Sequence, residues 1–316
     1  MTDHTVGRAL GVVGVDLDSL LAMAGSVLAD GHPYLVGSLA VGLGNRGSDI
    51  DIHHFRPGIA EPAPPYLMFV DGVTVDVEYY PAEMPASTVS RYTGTPLATV
   101  ADGRIALAPP PDRTVADRLT RWLTALPLYE SSPPLIAEGD RATVVALLAR
   151  VAYEHLVQFA ALATLAEQPA AAYLWQRAAR QALEVACRVA GDVATGDKWL
   201  PRRAVRTLSS RTLVESGYRA GTEPALRELL AALRVPLGDP LAMTWVQPCP
   251  QAREVAVGRT RCLITRHGRL FPQWTSVAGQ VAAAVADVGA AQLLHGLRTG
   301  QLTMRVDPPA CAEVLR

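Results

Sequence analysis

The fold is decided by the stretch Leu35-Val36-Gly37-Ser38-Leu39-Ala40-Val41-Gly42-Leu43-Gly44-Asn45-Arg46-Gly47-Ser48-Asp49-Ile50-Asp51-Ile52. An apolar run enters Gly37-Ser38, a segment of small residues follows, and a second apolar run carries two aspartates one residue apart. Tyr34–Gly37 reads as a buried strand, Ser38–Leu43 as a short helix opening on the Gly-Ser pair, and Asp49–Phe55 as a second strand. Side chains on a strand alternate between faces, so Asp49 and Asp51 are expected to point the same way. Two carboxylates facing a Gly-Ser turn suit a Mg²⁺–triphosphate site, because Mg²⁺ takes hard oxygen ligands, commonly one or two carboxylates plus substrate phosphates. Gly37 lets the backbone approach a phosphate, and Ser38 adds a hydroxyl donor. Exposed N–H groups at the helix start favour an anion. Asn45, Arg46 and Ser48 sit just before the aspartates, where they can contact or cover the triphosphate.

Working outward, residues 16–29 carry apolar positions at helical spacing, with Asp16 placed to cap the start. Residues 56–65 are proline-rich and read as a loop. Tyr66–Val70 and Val73–Tyr80 form a hairpin around Asp71-Gly72, a favoured two-residue turn. In the second arm Val73, Val75 and Val77 face one way, and Thr74, Asp76 and Glu78 the other. A third carboxylate usually completes a site of this kind. Asp76 is the first choice, as a ligand of the ion nearer the acceptor and as base for the acceptor hydroxyl. Glu78, on the same face, is the reserve. His53 and His54 read as a strand-end pair.

Residues 86–92 read as a short helix, and 105–113, with Pro109, Pro110 and Pro111, as a linker. Helices are expected over 113–126, 138–167, 170–190, 201–215 and 222–234, rich in Ala, Leu and Val, as in a bundle. Trp122, Tyr153, Trp175 and Trp199 read as bundle core, with room for one of them to line the cleft. From residue 241 short strands are expected at Arg253–Val257, Arg261–Arg266 and Arg269–Phe271, turning at Gly258 and His267-Gly268, then a helix over Val277–Leu297. A helix, a strand, a helix and three strands capable of antiparallel pairing make an α+β start. The divisions expected are 1–108, 109–240 and 241–316, the last a short β-plus-helix module without an assigned role.

Composition narrows the function classes. The chain has 316 residues, 49% of them apolar, and a formal charge of -1, which argues against a broad nucleic-acid-binding surface. Cys187, Cys249, Cys262 and Cys311 are scattered without a C-x-x-C pair, which fits reduced thiols. No leader pattern and no uninterrupted apolar run of spanning length is read, so a soluble cytoplasmic protein without a membrane partner is expected. Lys198 is the only lysine in the chain. Its compact ammonium suits a phosphate as a point charge.

Gly-Ser, ten intervening residues, then Asp-x-Asp between apolar residues resembles the signature of the DNA polymerase beta-like nucleotidyltransferase superfamily. More narrowly, it resembles the small stand-alone enzymes that modify aminoglycosides and related antibiotics. The likeness covers roughly residues 17–82. It implies a small mixed-sheet nucleotidyltransferase core, followed here by a helical bundle that shapes the acceptor side and by the C-terminal module. It implies that Gly37 and Ser38 bind phosphate and that Asp49, Asp51 and Asp76 hold two Mg²⁺ ions. The Gly196-Asp197-Lys198-Trp199-Leu200 segment is similar to a Lys-Trp-Leu element of some of those enzymes, in which the lysine reaches the triphosphate. The activity implied is transfer of AMP from ATP to a hydroxyl of a small molecule. The same fold also serves protein AMPylation and antitoxins, and a copy that has lost its chemistry could act as a binding module.

Overall fold

A computed structural model describes residues 5–93, 97–99, 105–107, 111–194, 196–249, 253–257, 260–264, 270–272, 283–284, 290–299 and 301–306. The architecture is α+β. A mixed five-stranded sheet is followed by a run of helices and by a short β-hairpin and helix module at the C-terminal end. In chain order the first elements are α1 (Val6–Gly11), α2 (Leu17–Ala24), β1 (His32–Val36), α3 (Gly37–Ala40), β2 (Ile50–Arg56), β3 (Ala63–Val70), β4 (Val73–Pro81) and α4 (Met84–Thr93). Next come β5 (Leu97–Thr99), β6 (Ile105–Leu107), α5 (Arg113–Leu123), β7 (Leu126–Pro127), α6 (Glu138–Leu165), α7 (Ala170–Val189), α8 (Leu200–Leu208), α9 (Arg211–Arg219) and α10 (Glu223–Leu233). The last are β8 (Thr244–Pro248), β9 (Arg253–Val257), β10 (Thr260–Ile264), β11 (Leu270–Pro272), β12 (Ala283–Ala284), α11 (Ala290–Thr299) and β13 (Leu302–Val306).

Two compact units are interleaved along the chain. The first takes residues 1–95, 110–148 and 190–207, and the second takes 96–109, 149–189 and 208–316. In the first unit the strand order is β3-β4-β2-β1-β7. β1 and β2 are antiparallel, with Val36 opposite Asp51. β2 and β4 are parallel, with Asp51 beside Asp76 and His53 beside Glu78. The sheet is mixed, as the resemblance implied, although the residues by themselves marked these strands only as capable of antiparallel pairing. The chain crosses over between β2 and β4 through edge strand β3, so the two strands that carry acids run the same way. Asp16 caps α2 through its carboxylate, which accepts from Ser19 N at 2.8 Å.

One face of this sheet buries Leu35, Ile50, Ile52, Val75 and Val77 with Leu10, Leu20, Leu28 and Leu39. The other buries Tyr34, Val36, Phe55 and Tyr80 with Leu119 and Trp122 of α5 and Val144 and Leu148 of α6. Period-two alternation thus leaves Asp51 and Asp76 on the α5 face, at the end where the aromatic core stops. His53 and His54 are buried. Burial, with Arg121 and Arg118 nearby, pushes His53 down to about 3. Burial and then Arg56 push His54 down to about 4. Unfolded histidines titrate near 6.5, so between that value and the folded ones the unfolded chain binds more protons. Stability is therefore complete above about pH 6.5 and falls as the pH drops below it, by up to about 1.4 kcal/mol per pH unit for each histidine. Denaturant midpoints at pH 7 and pH 5 check this, and equal midpoints would contradict it.

Several elements differ from the sequence expectation. The helix after Gly-Ser is Gly37–Ala40 rather than Ser38–Leu43, and its end is closed by Leu43 N and Gly44 N donating to Ser38 O. β3 starts at Ala63, inside the proline-rich stretch, with a register break between Ala63 and Tyr66. The 201–215 helix is two helices. Ser209 takes φ +52°, and the Ser210 side chain caps α9 by accepting from Leu213 N. Part of the 105–113 linker is β6, paired with β5; Pro109 and Pro110 lie outside the described residues. The helix over Val277–Leu297 is corrected to Ala290–Thr299, because Ala283–Ala284 pairs with Val246 and Trp245 of β8. A small-residue segment has no strong period of its own, so tertiary pairing decides it. The turns at Gly258 and His267-Gly268 lie outside the described residues.

In the second unit α7 packs on α9 and α10. Val246, Leu293, Leu302 and Met304 close a small core with Ala161. Helix α6 is long and apolar enough to cross a membrane by length and composition alone, and 67% of its most apolar stretch is buried within the protein. Reading by uninterrupted runs passes over it, because Arg150 and Glu154 break the sequence.

Candidate functional site

Gly37, Ser38, Asp51, Arg121, Gly196, Lys198 and Trp199 line one open cleft of about 180 Å³, and all belong to the first unit. Gly37 stands where β1 ends, at φ +73°, a left-handed conformation that only glycine adopts at little cost. A Cβ built on it would lie 2.2 Å from Asp51 Oδ2. The backbone of the Gly-Ser turn thus rests against the Asp51 carboxylate. Gly37→Ala is expected to cost about 1–3 kcal/mol of stability from the strained φ and to displace Asp51. A denaturation curve coinciding with that of the unsubstituted protein would contradict this packing.

Asp51 and Asp76 are lateral neighbours in the parallel pair. Burial pushes the Asp51 carboxyl above the usual range; Arg121 pulls it back, while Asp76, Asp49 and Glu78 push it further up. Burial also raises Asp76, helped by Glu78 and Asp49 against Arg121. Asp76 Oδ1 is buried and has no hydrogen-bond partner among the described residues. An orphaned carboxylate oxygen is costly unless a donor or a cation meets it.

Glu78 is engaged differently. It accepts from Tyr80 Oη and, at 3.4 Å, from Arg121. His53 Nδ1 accepts from Trp122 Nε1 at 3.1 Å. That assigns the ring proton to Nε2, which faces Glu78 Oε1 at 3.8 Å and has Arg121 at 3.3 Å. Glu78 therefore holds Arg121 beside the cleft, with the neutral His53 ring packed next to it, while Asp76 is left without such a partner.

The opposite wall is the segment from Asp192 to Thr207. Asp192 accepts from Arg203 Nε at 3.1 Å, from Arg206 at 2.9 Å and from Thr207 Oγ1 at 2.8 Å. Burial opposes its ionisation, but Arg203, Arg206 and Thr207 outweigh it and hold the carboxyl below the usual range. Arg202 donates to Leu43 O at 3.1 Å and Arg206 to Val41 O at 3.3 Å, so α8 is tied to the chain that follows the Gly-Ser turn. Lys198, in the turn before α8, is exposed and lies over the Trp199 ring at 5.2 Å.

The structure thus brings Gly37, Ser38, Asp51 and Lys198 to one cleft and sets Asp76 beside Asp51. Asp49 is exposed, one residue before β2 begins, and acts on Asp51 and Asp76 through its charge. Arg46 and Ser48 lie in the turn before it and are not among the residues that line the cleft. Ser48 Oγ accepts from Asn45 N, and Asn45 Oδ1 from Gly47 N, so this turn is satisfied internally. Sequence reasoning missed Arg121; of the aromatic residues read as core, Trp199 is the one that lines the cleft. Among the described residues, no three His, Cys, Asp or Glu side chains form a ready-made metal-binding group. In the comparisons with known proteins, no family model and no curated protein matches this chain.

Proposed function

We propose that the protein is a Mg²⁺-dependent nucleotidyltransferase that moves AMP from ATP to a hydroxyl of a small molecule, releasing pyrophosphate, in antibiotic modification or specialised metabolism. The observation that carries this reading is the register that sets Asp51 beside Asp76, across from the positive-φ Gly37 of the Gly-Ser turn. The donor set fits Mg²⁺. It offers hard carboxylate oxygens, one of them buried and without a partner, in acids whose mutual repulsion a cation would relieve. A site without a full protein cage suits this ion, which keeps waters and borrows substrate phosphates. When bound, Mg²⁺ neutralises charge along the phosphate chain.

The remaining work falls to side chains. Lys198 and Arg121 offer positive charge to the phosphates from the two walls of the cleft. The acceptor oxygen attacks the α-phosphorus. The bond to the oxygen bridging the α- and β-phosphorus breaks, and pyrophosphate leaves with that electron pair. The proton of the acceptor passes to Asp76, whose affinity for it is raised by burial and by Glu78.

Calorimetric titration with a non-hydrolysable ATP analogue tests the reading. Binding that requires Mg²⁺ is expected, and its absence would remove the proposal. Lys198→Ala is expected to weaken that binding about tenfold, the worth of one charge-assisted contact. Affinity unchanged by this substitution would take Lys198 out of the site.

A further inference from the structure

Exposed apolar surface in the first unit gathers on β3. Phe69 is 67% exposed and Leu67 63%, the highest values among the large apolar residues described. The antiparallel register sets Leu67 beside Asp76 and Phe69 beside Thr74, whereas Tyr66 and Met68 sit beside Val77 and Val75. Leu67 and Phe69 therefore stand on the sheet face of Asp76 and Asp51, one strand further out. β3 is the edge of the sheet, which invites the idea of a second chain adding there. Its own sequence argues against that use, because Pro64 and Pro65 lack N–H donors and the register breaks between Ala63 and Tyr66. Edge pairing would in any case use backbone groups, and would leave these two side chains uncovered.

We infer that Leu67 and Phe69 form an apolar shelf for the acceptor, and that the acceptor is a hydroxyl compound with an apolar, ring-bearing face rather than a polycation. This rests on the reading of Asp51 and Asp76 as a nucleotidyl-transfer site. Two side chains separated by one residue on a strand stand about 7 Å apart, enough to lie under a single six-membered ring. A ring so placed brings a substituent hydroxyl to the strand that carries Asp76. The other acid on this face of β4, Glu78, is held by Arg121 and Tyr80 and is not available to pair with an ammonium. A polycationic acceptor would gain nothing from Leu67 and Phe69.

The test compares two probes with the same sugar hydroxyls, glucose and 4-nitrophenyl glucoside. Their binding to the full chain is followed by ligand-observed NMR in the presence of Mg²⁺ and a non-hydrolysable ATP analogue. The aryl compound is expected to bind about tenfold more tightly. Leu67→Ser/Phe69→Ser is expected to erase that preference while leaving Mg²⁺-dependent binding of the ATP analogue unchanged. Equal binding of the two probes by the unsubstituted protein overturns the inference, as does a preference that survives the double substitution. Light scattering of both proteins accompanies the titration. A dimer that falls to a monomer on substitution overturns it too, by making the patch a contact between copies. If the unsubstituted protein binds no ATP analogue, the nucleotidyl-transfer reading has failed, and calorimetry alone separates that outcome from failure of the shelf.

Discussion

Asp51→Asn is expected to lower nucleotidyl transfer by about 10³-fold while leaving the melting temperature equal or higher. The activity loss follows from removing a charge that the proposed site uses to hold the cation. Such charge stabilisation is worth several kcal/mol in the transition state, and each 1.36 kcal/mol is tenfold in rate. The stability gain follows from the geometry. Asp51 is partly buried in the company of Asp76, Asp49 and Glu78, all of which oppose its ionisation. Neutralising it relieves that repulsion, as expected where function keeps a strained cluster of charges. Pyrophosphate release and a thermal melt on the same preparation check both halves. Retained turnover would dismiss Asp51 from the chemistry, and a sharp drop in melting temperature would mean that its charge supports the fold.

The second large effect concerns stability alone. Asp192→Ala is expected to destabilise the protein by about 3–5 kcal/mol, because it leaves the fully buried guanidinium of Arg203 without its carboxylate partner. Asp192→Ala combined with Arg203→Met should recover much of the loss, since an apolar pair of similar volume avoids the buried charge. Because the folded carboxyl sits below its ordinary value near 3.8, this contribution is complete above that pH and disappears as the pH falls through the folded value. Urea denaturation of the single and double variants measures it. A double variant as unstable as the single one would show that packing, not charge, is at stake. Because this acid anchors the wall that carries Lys198, the single variant should also lose affinity for the ATP analogue.

Local signals were legible in the sequence where the physics is local. Asp71-Gly72 dictates a hairpin, Asp16 caps α2, and Val75 and Val77 against Asp76 and Glu78 give the faces of β4. The direction of pairing was not legible, because alternation is the same for parallel and antiparallel neighbours. That register is what separates Asp76, beside Asp51, from Glu78, beside His53. On sequence the two acids share a face, and Asp76 is preferred over Glu78 only for its apolar flanks. Arg121 gave no signal, since its place depends on how α5 lies on the sheet and on an acceptor, Glu78, 43 residues away. The break between α8 and α9 turns on one positive φ at Ser209, a residue type that does not demand one.

The interleaving of the two units has a consequence for how the chain is made. At about 5–20 residues per second of synthesis, Asp51 and Asp76 leave the ribosome seconds before Arg121, and Lys198 follows only after the segment 149–189 of the other unit has been threaded through. A nascent chain carries its acids uncompensated over that interval. All five strands have emerged by residue 127, but the wall with Lys198 and the arginines near residue 203 has not, so a stall or cleavage anywhere between 148 and 190 leaves a complete sheet whose acids face no opposite wall.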